Sequence, residues 1–147
     1  MGLCAVSDIV LSTADTTFGF TETRLGILPA VIGPYALAKI GESHARALFL
    51  SGSRFDAGRA MQIGLVHEVL ADEGTLDTRL TALVEELLAA GPTAVREAKA
   101  LIRRLRGQPG PQARALTVAA ISRQRTGAEG QEGLAAFLEK RDPSWKA

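Results

Sequence analysis

The spacing of apolar residues changes along this chain from short runs to helical stripes. Residues 5–11 (Ala-Val-Ser-Asp-Ile-Val-Leu) form a β-rich run and predict a strand. Residues 12–17 are small and polar and predict a turn, and Phe18-Gly19-Phe20 predicts a second short strand. Residues 24–32 are apolar but punctuated by Gly and Pro, so their periodicity decides little. Pro34 suits the first turn of a helix to Ile40, with Gly41 at its end. Ser43 can cap a second helix to Leu50, closed by Gly52, and Asp56 a short third one over residues 57–63. Residues 65–70 read as a strand.

Helical periods then dominate. Leu80, Leu83, Val84, Leu87 and Leu88 form one stripe on a helix over residues 76–90, broken by Gly91-Pro92. Val95, Ala98, Leu101, Ile102 and Leu105 form the next. Residues 112–125 predict a helix whose Ala115, Leu116, Ala119 and Ala120 pack inward. Residues 130–140 predict a last one, with Pro143 beyond it. The pattern is short strands first and then a helical second half.

Composition narrows the partners. The 147 residues suit one domain, and 46% hydrophobic with 22% charged residues fits a folded chain. A single cysteine leaves no internal disulfide and no multi-thiolate zinc site. The net charge of +1 gives no field that marks a nucleic-acid binder. That total hides a split: residues 1–95 sum to −5 and residues 96–147 to +6. The positive end is either a set of solvated helix faces or a surface for a phosphate or acidic partner. The uncharged stretch 25–38 is too short for a bilayer and holds two prolines. We therefore expect a cytoplasmic protein with no membrane and no nucleic-acid partner.

Most familiar chemistry is missing. The sequence has no Gly-x-x-x-x-Gly-Lys loop, no Gly-x-Gly-x-x-Gly fingerprint and no Gly-x-Ser-x-Gly elbow. His44 and His67 stand apart in no ligand pattern, and no metal is expected. Cys4 lacks a partner motif and reads as a small apolar residue. Glu22 stands out, because Phe, Gly, Leu and Pro surround it. Desolvation there would suit a carboxylate to proton transfer near neutral pH. The alternative is a surface Glu paired with Arg24.

Five ordered blocks carry a resemblance to the crotonase family, the enoyl-CoA hydratases and isomerases. Residues 2–9 resemble its helix leading into a Cys-Asp-Ile strand, with Ser7 where Cys is usual. Phe18-Gly19-x-x-Glu22-x-x-Leu25-Gly26-Ile27-Leu28-Pro29 resembles its second active-site segment. Ile40-Gly41-Glu42, Leu50-Ser51-Gly52-x-Arg54-Phe55-Asp56-Ala57 and Ala60-x-x-Ile63-Gly64-Leu65-Val66 follow in order. Gly130-Gln131-Glu132-Gly133-Leu134-x-Ala136-Phe137-Leu138-Glu139-Lys140-Arg141 resembles its C-terminal signature. Residues 29–34 resemble the branch acting on methylglutaconyl- or isohexenylglutaconyl-type substrates.

The resemblance implies an α/β fold, with a partial ββα spiral over residues 1–70 and a helical trimerisation region over residues 71–147. It implies an acyl-CoA substrate whose thioester enolate is held by two backbone N–H groups, while carboxylates move protons. Coenzyme A would be part of the substrate, with no separate cofactor. Of the family's two glutamates, Glu22 matches the second. The first falls on Gly2, which cannot transfer a proton, as in some other members. Gly2, Thr21, Leu28, Phe137 and Lys140 are the expected substrate-binding residues, Phe137 and Lys140 toward the CoA adenine and 3′-phosphate. For Lys140 the other reading is a solvated lysine at a helix C-terminus. The chain is expected to form a homotrimer or hexamer and to match the C-terminal half of such an enzyme. The family's oxyanion donors would then precede Met1, leaving the chain inactive alone or acting as a non-catalytic helical assembly module.

Overall fold

The computed structural model describes residues 1–146 and divides into two compact units, residues 1–80 and 81–147. In the first unit, α1 (Gly2–Val6) leads to β1 (Leu11–Thr13) and β2 (Thr17–Gly19). A 3-10 turn (Glu22–Leu25) precedes α2 (Gly33–Ser51), then come β3 (Arg54–Asp56), α3 (Ala57–Gln62) and β4 (Glu68–Leu70). The helix α4 (Glu73–Ala89) begins here and runs on into the second unit. β1 and β4 pair in parallel, with Ser12 opposite Val69. β2 and β3 pair antiparallel, with Phe18 opposite Phe55.

The strand expected over residues 5–11 is displaced. Ala5 and Val6 lie in α1, and the strand starts only at Leu11. Packing overrides the β-propensity of the run: Met1, Cys4 and Ala5 lean on the core, and Lys39 of α2 donates to the Ser7 carbonyl (2.6 Å). Burial lowers the Lys39 pKa below the usual lysine value, with Cys4 and Asp8 acting the other way.

The two helices expected on either side of Gly41 are both present, joined at a kink. Gly41 has φ 77° and ψ 163°, a geometry that no residue with a Cβ adopts cheaply. Asp56 caps α3, accepting the Arg59 N–H at 2.7 Å. Asp72 and Thr75 cap α4 reciprocally, each backbone N–H donating to the other's side chain (3.1 and 2.8 Å). Glu68 of β4 takes both Arg79 nitrogens at 2.8 and 2.9 Å, and this pairing lowers its pKa.

Phe18, Phe20, Ile40, Leu48, Phe55 and Leu65 are among the buried residues of this unit's core. The Phe18 and Phe55 rings stack at 5.9 Å, and Phe20 meets Phe49 edge-on at 4.7 Å.

The second unit holds the rest of α4, then α5 (Pro92–Leu105), α6 (Gly110–Thr126), α7 (Ala128–Glu139) and a 3-10 turn (Ser144–Lys146). Lys140, in left-handed geometry, ends α7 three residues before Pro143. Glu129 ties α7 to α5 by accepting the Thr93 and Ala94 N–H groups at 2.8 and 2.7 Å. Burial pushes its pKa up, but these hydrogen bonds win and the net shift is downward. Gly130 sits against the Gln124 carbonyl, where a Cβ would have no room.

The inward packing expected of the stripes is met only in part: Leu83, Leu101, Leu105, Leu116 and Ala120 are half-buried. Leu80, Val84, Leu87, Leu88, Val95, Ile102, Ala115 and Ala119 are exposed, and Ala136 is the sole buried hydrophobic of the second unit among the described residues. The exposed residues lie on α4, α5 and α6, whose apolar faces stay open. No helix among the described residues is long and apolar enough to cross a membrane.

Candidate active site

Glu22 opens the 3-10 turn Glu22–Leu25, which follows directly from Thr21. The turn is pinned to the end of α2. The Thr23 hydroxyl donates to the Phe49 carbonyl at 2.8 Å, bridging 26 positions of sequence. Arg24 lies over Gly52, where a Cβ would come within 2.8 Å of its Cγ. Gly26, with φ 74°, ends the turn, and the Ile27 N–H returns to the Glu22 carbonyl at 3.2 Å.

The surface pairing of Glu22 with Arg24 does not form. Arg24 is directed at Gly52, and the half-buried Glu22 carboxylate has no hydrogen-bond or ion-pair partner among the described residues. The turn anchors its backbone and leaves the carboxylate uncommitted.

Gly2 starts α1 and is half-buried. A Cβ there would stand 3.0 Å from the Ile32 Cγ2. A side chain there would require Ile32 to shift by a few tenths of an ångström. Thr21 precedes the turn and is half-buried, while Leu28 lies beyond it, 75% exposed. Both α1 and the turn pack against α2, which brings Gly2, Thr21 and Glu22 onto one scaffold.

Phe137 and Lys140 belong to the second unit. Phe137 is 79% exposed on α7. Lys140 is exposed in left-handed geometry (φ 55°, ψ 39°). Its ammonium has no partner among the described residues. Arg141 beside it is fully engaged, with Glu132 at 2.6 Å and Glu139 at 2.7 Å.

Sequence reasoning left His67 without a role beyond a structural or exposed one. Its Nδ1 accepts the Val10 N–H at 3.0 Å, holding the entry to β1. No sequence pattern signals this, because the partner is a backbone group 57 positions away. No metal-binding group of three or more His, Cys, Asp or Glu occurs among the described residues.

A family model described as enoyl-CoA hydratase/isomerase matches residues 1–147. The chain is 31% identical to the 2,3-dehydroadipyl-CoA hydratase of Escherichia coli over 98% of this chain and 56% of that protein. Among solved structures it is similar to AtuE of Pseudomonas aeruginosa (39% identity, TM-score 0.93, 99% of this chain and 57% of that one). It is also similar to an enoyl-CoA hydratase from Shewanella pealeana (35% identity, TM-score 0.91, 98% and 54%). The chain spans about half the length of the curated relatives it matches. Its architecture is a partial α/β crotonase fold. With a match along its whole length and with that fold, the chain belongs to the enoyl-CoA hydratase/isomerase family.

Proposed function

We propose that this chain carries the acid/base half of an acyl-CoA hydratase or isomerase, with Glu22 moving the proton at the carbon next to the thioester or the one beyond it. The observation that carries this reading is the state of Glu22: anchored through Thr23 to Phe49, half-buried, and uncommitted to any partner. With Gly2 at the position of the family's first glutamate, one carboxylate must serve as both acid and base or share the task with bound water. In this scheme the enolate oxygen is held by two backbone N–H groups from the part of the fold that the relatives carry beyond the matched half. Thr21 and Leu28 border the acyl group. Phe137 and Lys140 offer an open ring and a free ammonium to an adenine and a phosphate. The open apolar faces of α4, α5 and α6 support assembly into a trimer or hexamer.

Hydration of crotonyl-CoA and isomerisation of a 3-enoyl-CoA test the reading, with this chain alone and with this chain extended by the N-terminal half of a full-length relative. The extended form is expected to be active and to lose about 10²–10⁴ of its rate in E22Q, the range of one acid/base group. Full activity in that variant overturns the assignment. Full activity of the short chain alone overturns the need for oxyanion donors from elsewhere, since one such donor is worth about 10²–10³.

A further inference from the structure

The β2–β3 pair has two faces, as the pleat requires. Phe18 and Phe55 are buried on one. Thr17, Gly19, Arg54 and Asp56 share the other, Gly19 opposite Arg54 and Thr17 opposite Asp56. On this polar side lies a hollow of about 130 Å³ lined by Thr17, Phe18, Gly19, Thr21 and Arg54. Gly19 keeps it open: a Cβ there would stand 3.3 Å from the Thr21 Cγ2 and 3.4 Å from the Arg54 Cγ.

The chemistry of the lining is one-sided. Neither the Arg54 guanidinium nor the Thr17 or Thr21 hydroxyl has a side-chain partner among the described residues. Asp56, the nearest carboxylate on this face, is turned away to cap α3 through the Arg59 N–H. A guanidinium with its fork free and two hydroxyls beside it match the planar or tetrahedral oxygens of an anion. Thr21 joins the hollow to the turn that begins with Glu22.

We infer that this hollow is an anion subsite, in which Arg54, Thr17 and Thr21 hold a carboxylate or phosphate group of the acyl-CoA; its link to acyl-CoA rests on the reading of Glu22 above. The shared chemistry is an oxyanion, and its two sources are a distal carboxylate on the acyl chain and a phosphate of the CoA.

The ¹⁵N-labelled chain is titrated separately with glutarate and with methyl phosphate while the amides of Thr17, Gly19 and Thr21 are followed by NMR. Saturable shifts at these three amides are expected, with affinity falling at least tenfold in R54Q and partly recovering in R54K. R59Q, an exposed arginine of the same unit, leaves them in place. Tighter glutarate binding assigns the subsite to the acyl carboxylate, and tighter methyl phosphate binding to the CoA. Absence of saturable shifts, or shifts that R54Q leaves intact, overturns the subsite. No turnover enters this readout, so its failure leaves the Glu22 reading standing, and failure of the E22Q assay leaves the subsite standing.

Discussion

Val10 and His67 hold each other twice. The Val10 N–H donates to the His67 Nδ1 (3.0 Å), and the His67 N–H donates to the Val10 carbonyl (2.9 Å). The pair closes the parallel β1–β4 ladder at the end where its regular pairing begins. Replacing the imidazole leaves a part-buried N–H unpaired, which costs about 1–3 kcal/mol. H67A is expected to lower stability toward the bottom of that range, measured by urea unfolding. The Val10 amide should exchange faster than that of Val69.

Gly2 and Ile32 compete for one space. Restoring a glutamate by G2E is expected to destabilise the chain by about 1–3 kcal/mol through overpacking. In an I32A background the same G2E step should cost much less than it does in the native chain. Thermal unfolding of these variants separates a steric exclusion from a simple absence of side chain.

Glu132 gives the C-terminal turn a pH dependence. Hydrogen bonds from Arg141, then from the Ser144 backbone N–H, hold its pKa at about 2, against an ordinary value of 4.5. A folded pKa below the unfolded one means stability that is complete above 4.5 and lost as pH falls toward 2. The Ser144 amide should therefore keep its protection from exchange down to about pH 4.5 and lose it progressively below. In E132Q that protection should be weaker and flat across the same interval.

Trp145 reports on α7. Its indole N–H donates to the Ala89 carbonyl (3.2 Å), and its Cη2 stands 2.9 Å from where a Gly133 Cβ would be. G133A is expected to push the ring aside and break that hydrogen bond. Because the chain has one tryptophan, a red shift of its emission measures the change directly.

Lys140 separates backbone from charge. A lysine in left-handed geometry is strained where glycine is not. K140G is expected to stabilise α7 by a few tenths of a kcal/mol, up to about 1, while weakening CoA binding in the extended protein. K140A should weaken binding without the stabilisation. An unchanged dissociation constant in both removes the phosphate role.

Local signals made much of the first unit legible. Gly41, Gly52 and Asp56 act by their own backbone or side-chain geometry, and all three mark the boundaries they were expected to mark. The first strand was misplaced because propensity cannot register that Cys4 and Ala5 have a core to lean on. The helical stripes were legible as helices but not as surfaces. Periodicity tells which residues share a face, not whether anything covers it. At the site, the apolar neighbours of Glu22 single it out as a candidate. Its anchoring through Thr23 and Phe49, the close approach of Ile32 to Gly2, and the clasp of His67 on Val10 all depend on pairs distant in sequence.

The open faces of α4, α5 and α6 bear on how the second unit holds together. A unit in which Ala136 is the one buried hydrophobic among the described residues draws little cohesion from within. Its melting should then be broad at high dilution and sharpen as concentration rises. Anything that binds its folded form adds stability by mass action, growing with the logarithm of concentration. If a partner covers these helices, folding and occupancy become one equilibrium.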